Sequence, residues 1–453
     1  MTNNPDIDGQ SCKQFIAEAR CLRVMVYSWM VRRWGGVMLV DKLMTPSDEM
    51  LMSRSTEEEM YRFMVNELKL AIPDLPSTAN KERFTKGAAL TLLTRVSLEG
   101  GLYDETIAAG KQLFEGEEAA NWSIDPEYRK MFGSFSYPET SPEIQFYFTQ
   151  GDKKQYCENL LPMYVAGTLA PGRNIMGPAF NDKVDAWCAN WPSHELTEAY
   201  LAIDVEGDQT AKHYTETAKW KNAPVKTASI MYSNRDKRLD ATICYDGTTY
   251  FTSPIEMDTK GNCYWENTQN HGFMTQSGYM WRKYIYELDG TDALPGYQIL
   301  YDFRYILFRL GEACLNYAEA LGRKGEIDKA IRMMNMTRTQ HGGLPALPES
   351  SSEADFWKYY KIERRVELAL EGDRYFSVIR WAKVENATSV SEFNKRTHCI
   401  IIDGDDDTFT LIDTSHGSST GSDRVFSWPR RMYFPLPESE LMSNPNLQQN
   451  NHW

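Results

Sequence analysis

The sequence has no uninterrupted apolar run approaching the ~20 residues of a membrane-spanning helix. Its best candidate, 24–37, is broken by Arg32 and Arg33. The opening MTNNPDIDGQ has neither the basic leader nor the apolar stretch of a secretory signal. Taken literally, that start points to the cytosol. The eight cysteines, at 12, 21, 157, 188, 244, 263, 314 and 399, form no C-x-x-C pair. This disfavours zinc-ribbon and thioredoxin-like sites, and eight is too sparse for a disulfide scaffold, so buried free thiols are expected. HExxH, P-loop and GxGxxG motifs are missing, and the seven histidines do not cluster, so no metal-hydrolase ligand set is visible. Positive charge is also short. Against 49 Lys and Arg stand 63 Asp and Glu, a formal charge of -14, which repels phosphate backbones and anionic lipid.

What is present is ample apolar material: 42% of 453 residues, enough for a large core. Helical periodicity is strong in two places. In the first, Phe15, Ala19, Leu22, Val26 and Met30 share one helix face. A second helix opens at a Thr56–Glu59 capping box and presents Met60, Phe63, Met64, Leu68 and Ile72. A third, from Thr85, ends at Gly100-Gly101, and a fourth runs from Tyr103 to Phe114. The second helical part, about 302–385, carries the stripe Ile306, Leu310, Ala313, Tyr317 and Leu321. It turns at Arg323-Lys324-Gly325 and returns along Ile327, Ala330, Ile331 and Met334. Such hairpins stack in the manner of tetratricopeptide pairs, because one pair cannot bury its apolar face alone.

Between the helical parts, Gly, Pro, Asn and aromatics dominate, with short alternating runs such as ATICYDGTTYFT. The expected organisation is a helical scaffold over 1–118, a variable loop-rich ligand-binding region with short strands over 119–300, and a helical region over 301–453. An insertion at 386–432 reads as strand–turn–strand. Function tends to sit on such loops, held by a rigid frame.

Four features invite chemistry. Gly417–Gly421 matches G-x-S-x-G but lies in a Ser/Thr/Gly run, which reads as a loop rather than a nucleophile elbow. Asp403, Asp405, Asp406 and Asp407 are a candidate oxygen set for calcium, with a solvated acidic turn as the plainer reading. Asp185, Glu195 and Glu198 are candidate glycosidase carboxylates on a helical frame. Glu363, Glu367 and Glu371 repeat every four residues on one helix face. They call for arginine partners, for which Arg364, Arg374 and Arg380 are candidates, and point to an ion-pair network locking helix ends.

The aromatics carry the ligand argument. The flat face of a sugar ring stacks on an aromatic plane while its hydroxyls take polar groups at the rim. The ligand-binding residues expected on this ground are Trp187, Trp220, Tyr250, Tyr264, Trp265, Asn270, Trp281 and Arg282. Packing of the loop region onto the scaffold is the competing use of the same rings.

Several segments together resemble the SusD/RagB family of outer-membrane nutrient-binding lipoproteins. They are EARCLR (18–23) with WGG (34–36), RDKR (235–238), FRYIL (303–307) running to NYAEAL (316–321), Asn335-x-x-Arg338, ERRVELALEGDRYF (363–376), FPLPESEL (434–441) and NPNLQQN (444–450). The resemblance implies a SusD-like fold: mainly α, with tetratricopeptide-like hairpins bracing a variable face. It implies a non-catalytic, cofactor-free carrier at the cell outer membrane. That carrier would bind oligosaccharide or polysaccharide, not nucleic acid, and pass it to a SusC-like TonB-dependent transporter. Some members of the family take peptides instead, and a tetratricopeptide-like adaptor that binds only protein is a further alternative. Members begin with a signal peptide, a lipidated Cys and more chain before the EAR helix. Here that helix starts within about fifteen residues of Met1, and Cys12 is not placed to be the anchor.

Overall fold

The computed structural model describes residues 8–150, 188, 190–250, 253–266, 275–289, 303–413 and 425–453. The frame is built of helices. α1 (Gly9–Trp34) is capped by Asp8, whose Oδ1 accepts from the N–H groups of Gln10 and Ser11 at 3.0 and 2.9 Å. α2 (Glu57–Ala71) opens on the expected capping box. Thr56 Oγ1 accepts from Glu59 N at 3.2 Å, and Glu59 Oε2 accepts from Thr56 N at 2.8 Å. α3 (Lys86–Glu99) and α4 (Tyr103–Phe114) form a hairpin across Gly100-Gly101, where Gly101 takes φ +69°.

Short helices α5 (Tyr128–Gly133), α6 (His194–Ala199) and α7 (Lys237–Thr242) follow in the middle region. α8 (Leu310–Arg323) and α9 (Ile327–Gln340) make another hairpin, and α10 (Glu353–Glu367) and α11 (Arg374–Val384) complete the frame. Hairpin stacks on hairpin: α2 lies on α3, α4 on α8, and α9 on α10. One continuous core joins both ends of the chain, with Val24, Met64, Leu92, Leu315, Ala318 and Tyr360 in it. At Gly110 the approach of α4 to α8 is so close that a Cβ would lie 2.4 Å from Tyr317 Cγ.

Two expectations are corrected. The stripe Phe15, Leu22 and Val26 faces outward, at 37–48% exposure, and Ala17, Cys21, Val24, Ser28 and Val31 face the core. α1 is apolar on both sides, and the face with smaller side chains allows the closer approach to its neighbours. The outward face, with Tyr27, Met30, Trp34 and Leu447, lines a groove of about 690 Å³. The second correction is that 303–309 is a strand, not the first turns of a helix. β1 (Ile144–Gln150) and β8 (Phe303–Arg309) pair antiparallel, with Tyr147 opposite Ile306 and Phe148 opposite Tyr305. FRYILFR is rich in aromatic and β-branched residues, which suit a pleated surface.

Beyond β1, the strands described in the middle region are two-residue ladders. β2 (Ala202–Ile203) pairs β3 (Ala211–Lys212), β4 (Ile243–Cys244) pairs β7 (Met280–Trp281), and β5 (Thr249–Tyr250) pairs β6 (Ser253–Pro254). The late insertion is the expected hairpin of β9 (Cys399–Ile402) and β10 (Phe409–Ile412). The G-x-S-x-G run, Asp185 and Cys157 lie outside the described residues. The seven described cysteines are buried and free. No described helix is long and apolar enough to cross a membrane. The closing segment returns to α1: Phe434 N donates to Arg33 O at 2.6 Å and Asn450 Nδ2 to Trp34 O at 3.1 Å.

Candidate functional site

The middle region is pinned to the frame by a buried network of charges. Glu363 and Glu367 share a face of α10, while Glu371 lies in the turn after it; their partners are not Arg364, Arg374 and Arg380. Arg238, from α7, donates to Glu363 at 3.0 Å, Glu367 at 2.7 Å and Asp236 at 2.7 Å. Arg309, at the end of β8, reaches Glu143 at 2.9 Å and Glu371 at 2.7 and 2.8 Å, and joins Glu367 as well. Lys283 reaches Glu371 at 2.7 Å and the Tyr128 hydroxyl at 2.7 Å. The nearer arginines are engaged elsewhere: Arg364 with Asp373, Arg380 with Glu319, and Arg374 with Glu392.

At the centre sits His341, its Nδ1 2.9 Å from Glu367 and its Nε2 2.9 Å from Glu143. Burial pulls its pKa down, yet the two carboxylates outweigh burial and hold it up at about 9. Burial would raise Glu367, but His341 and Arg309 keep it well below the usual carboxylate range. These three residues have ligand atoms close enough to hold a metal ion. In this structure both ring nitrogens of His341 are hydrogen-bonded to these carboxylates, and the cluster acts as a buried fastener.

The fastener decides where the expected ligand residues go. Trp187 and Asn270 lie outside the described residues. Tyr250 is 0% exposed and packs in one cluster with Tyr128, Phe132, Met280 and Trp281. Trp281 is 7% exposed, and its Nε1 donates to Asn190 at 3.2 Å. Arg282 is buried, donating to Glu287 and to the Asp240 carbonyl, each at 2.8 Å. Tyr264 is buried too. A ring enclosed on both faces has none to give a sugar, so Tyr250, Trp281 and Tyr264 are packing rings here, and the Arg282 guanidinium is held within the fold by Glu287 and the Asp240 carbonyl. Trp220 and Trp265 remain half-buried. Trp220 meets Tyr214 edge-on at 4.9 Å in a third cluster, so it is apart from Tyr250 and Trp281.

Three half-buried rings outside the expected set join them as candidates: Trp191, and Tyr232 stacked on Tyr245 with centroids 4.2 Å apart. Tyr232 has no aromatic neighbour in sequence, which is why reading along the chain missed it.

The candidate carboxylates of α6 are each bound to histidine. Glu195 Oε1 lies 2.5 Å from His398 Nδ1, and Glu198 Oε1 lies 3.3 Å from His194 Nε2. Burial would raise both, but the histidine hydrogen bonds win and leave both lowered. Glycoside hydrolysis needs one carboxyl with a raised pKa to protonate the leaving group, and neither of these is one. In the β9–β10 turn, Asp403 Oδ1 accepts from Asp405 N at 2.8 Å, Asp406 Oδ1 from Thr408 N at 3.0 Å, and Asp407 Oδ2 from Ser229 N at 3.0 Å. Those carboxylates shape the turn.

The model of the SusD family matches residues 163–453. The chain belongs to the SusD family. A second family model, described as starch-binding and associating with the outer membrane, matches residues 2–98. Among relatives, a SusD-like protein of Bacteroides ovatus is 22% identical, over 96% of this chain and 73% of its own length. A solved SusD-like protein of Bacteroides fragilis superposes with TM-score 0.77 at 25% identity, over 99% of this chain and 81% of that one. A laminarin-binding SusD-like protein superposes with TM-score 0.68 at 20% identity, over 100% and 82%.

Proposed function

We propose that the protein captures oligosaccharide at the outer face of a bacterial outer membrane and delivers it, unhydrolysed, to a TonB-dependent transporter. The observation that carries this reading is the pinned middle region. It carries the half-buried rings of Trp220 and Trp265 and is tied to α10 through Arg238. The family supports it, and so does the laminarin-binding neighbour, which shares the frame. With formal charge -14, the surface suits a neutral ligand better than an anionic one.

Calorimetric titration of the purified chain against a panel of oligosaccharides, laminarin fragments included, tests the proposal. Binding without release of new reducing ends is the expected result. Trp265→Ala is expected to weaken it on the order of tenfold, the scale of one lost ring contact. If no glycan binds, or if a peptide library binds in their place, the reading is wrong.

A further inference from the structure

A polar cleft of about 680 Å³ opens where the closing segment meets the start of α2, within the ~300–1,000 Å³ range of small-molecule sites. Its walls are mostly amides, hydroxyls and two guanidiniums, and none of the described residues lining it is Asp or Glu. Other clefts differ: the α1 groove carries Glu440, and the one between α2 and α11 carries Glu57, Glu58 and Glu99. In a chain with 63 acidic residues and a formal charge of -14, this cleft is a local exception. The acids nearest in sequence are engaged elsewhere. Glu57 pairs with Lys383 at 2.8 Å, Glu58 with Arg62 at 2.9 Å, and Glu59 closes the capping box.

Both guanidiniums lack a counter-charge. Arg54 is held by neutral acceptors: Gly36 O at 2.6 Å, Gln448 O at 3.1 Å, Asn450 Oδ1 at 2.8 Å and the Trp34 carbonyl. These bonds fix the group but leave its charge in place and one N–H of Nη1 unused. Burial lowers its pKa; the Tyr433 phenol opposes that, and no carboxylate does. Arg430 lies over the Trp453 ring at 4.3 Å and, among the described residues, has neither a hydrogen bond nor an ion pair. The side chains of Ser53, Ser55, Gln448 and Asn451 likewise have no hydrogen-bond partner among the described residues. All six residues are exposed or half-buried, so a guest can reach them.

We infer that this cleft is a second ligand site, for an acidic monosaccharide, with the carboxylate taken by Arg54 and Arg430 and the ring hydroxyls by Ser53, Ser55, Gln448 and Asn451. Bonds from a guanidinium to a carboxylate are about twice as strong as neutral ones, so the acid group sets the preference. A neutral sugar would leave both charges unanswered. A bare inorganic anion would use the guanidiniums and leave the amides and hydroxyls idle. The cleft shares no residue with Trp220 or Trp265, so this site and the proposed uptake of neutral oligosaccharide can fail separately.

Saturation-transfer NMR on the full chain tests it, with D-glucuronate and D-galacturonate as probes, methyl β-D-glucoside as the neutral counterpart and sulfate as the bare anion. At least one uronate is expected to bind, and more tightly than either the glucoside or sulfate. Arg430→Gln is expected to weaken that binding about tenfold, the scale of one lost charge-assisted bond. Its side chain is exposed and touches the fold only by stacking on Trp453, so folding is not at issue. Arg332→Gln removes the same charge from an exposed pair with Glu349 and is expected to leave binding unchanged. The inference is overturned if neither uronate binds, if the glucoside binds as tightly, or if sulfate does, which would mean a site for any anion. It is equally overturned if Arg430→Gln keeps full affinity or Arg332→Gln loses it.

Discussion

Arg309 illustrates how much one side chain can join. It is 1% exposed, and its guanidinium reaches carboxylates from the start of β1, from α10 and from the turn after α10. Removing one partner of a buried ion pair strands the others, at a cost of about 3–5 kcal/mol. Arg309→Leu is therefore expected to lower unfolding free energy by about that much in a urea titration. Arg309→Lys should recover only part of it, because a single ammonium cannot reproduce the fork that meets Glu371 at both oxygens. A loss under about 1 kcal/mol for Arg309→Leu would show that the network is solvated and not a fastener.

At the level of elements, the capping box that opens α2 offers a direct test. Thr56→Ala removes the side-chain acceptor from Glu59 N and is expected to cost about 1 kcal/mol in the same measurement. A double variant with Glu59→Ala should add less than the sum of the singles, since the two bonds are reciprocal. This box was legible in the sequence because its signal is local: two residues three apart, ahead of an apolar stripe. The hairpins over 85–114 and 310–340 were legible for the same reason, with periodicity and a glycine turn lying in one window. β8 was not, because FRYILFR runs without a break into the helix at Leu310 and blends two periods. The face of α1 was misread because both of its faces are apolar. The partners of Glu363 and Glu367 were out of reach, since Arg238 lies 125 and 129 residues away and no local pattern encodes such a pairing. The same holds for Tyr250 and Trp281: aromatic content singled out the middle region, but only the tertiary arrangement separates fully packed rings from half-buried ones.

For the molecule as a whole, the fastener makes stability depend on pH. His341 has a folded pKa of about 9, above its ordinary 6.5. Its contribution is fully present below 6.5 and is lost as pH rises through about 9. Lys283 and Lys81 are pulled by burial from 10.5 to about 8, so each costs stability below about 8 and gives it back as pH rises toward 10.5. The three together predict a fall in stability from pH 6.5 to about 8, a minimum near 8, and a recovery above it that steepens past about 9, where the two lysines act alone. Urea midpoints across pH 6 to 10 would show it, and His341→Gln should abolish the initial fall. A midpoint that climbs steadily from pH 6.5 to 8 in the unaltered chain would contradict the placement of a charged imidazole between two carboxylates.

The return of the last residues onto the first helix has a further consequence. Asn450 and Phe434 bond to the C-terminal end of α1, and 416 residues separate Asn450 from Trp34. Contacts between segments so distant in sequence form late, because a long loop must close before they are made. The hairpins, whose partners are local, can assemble first, and the end of α1 is tied down only when this far-reaching closure is made.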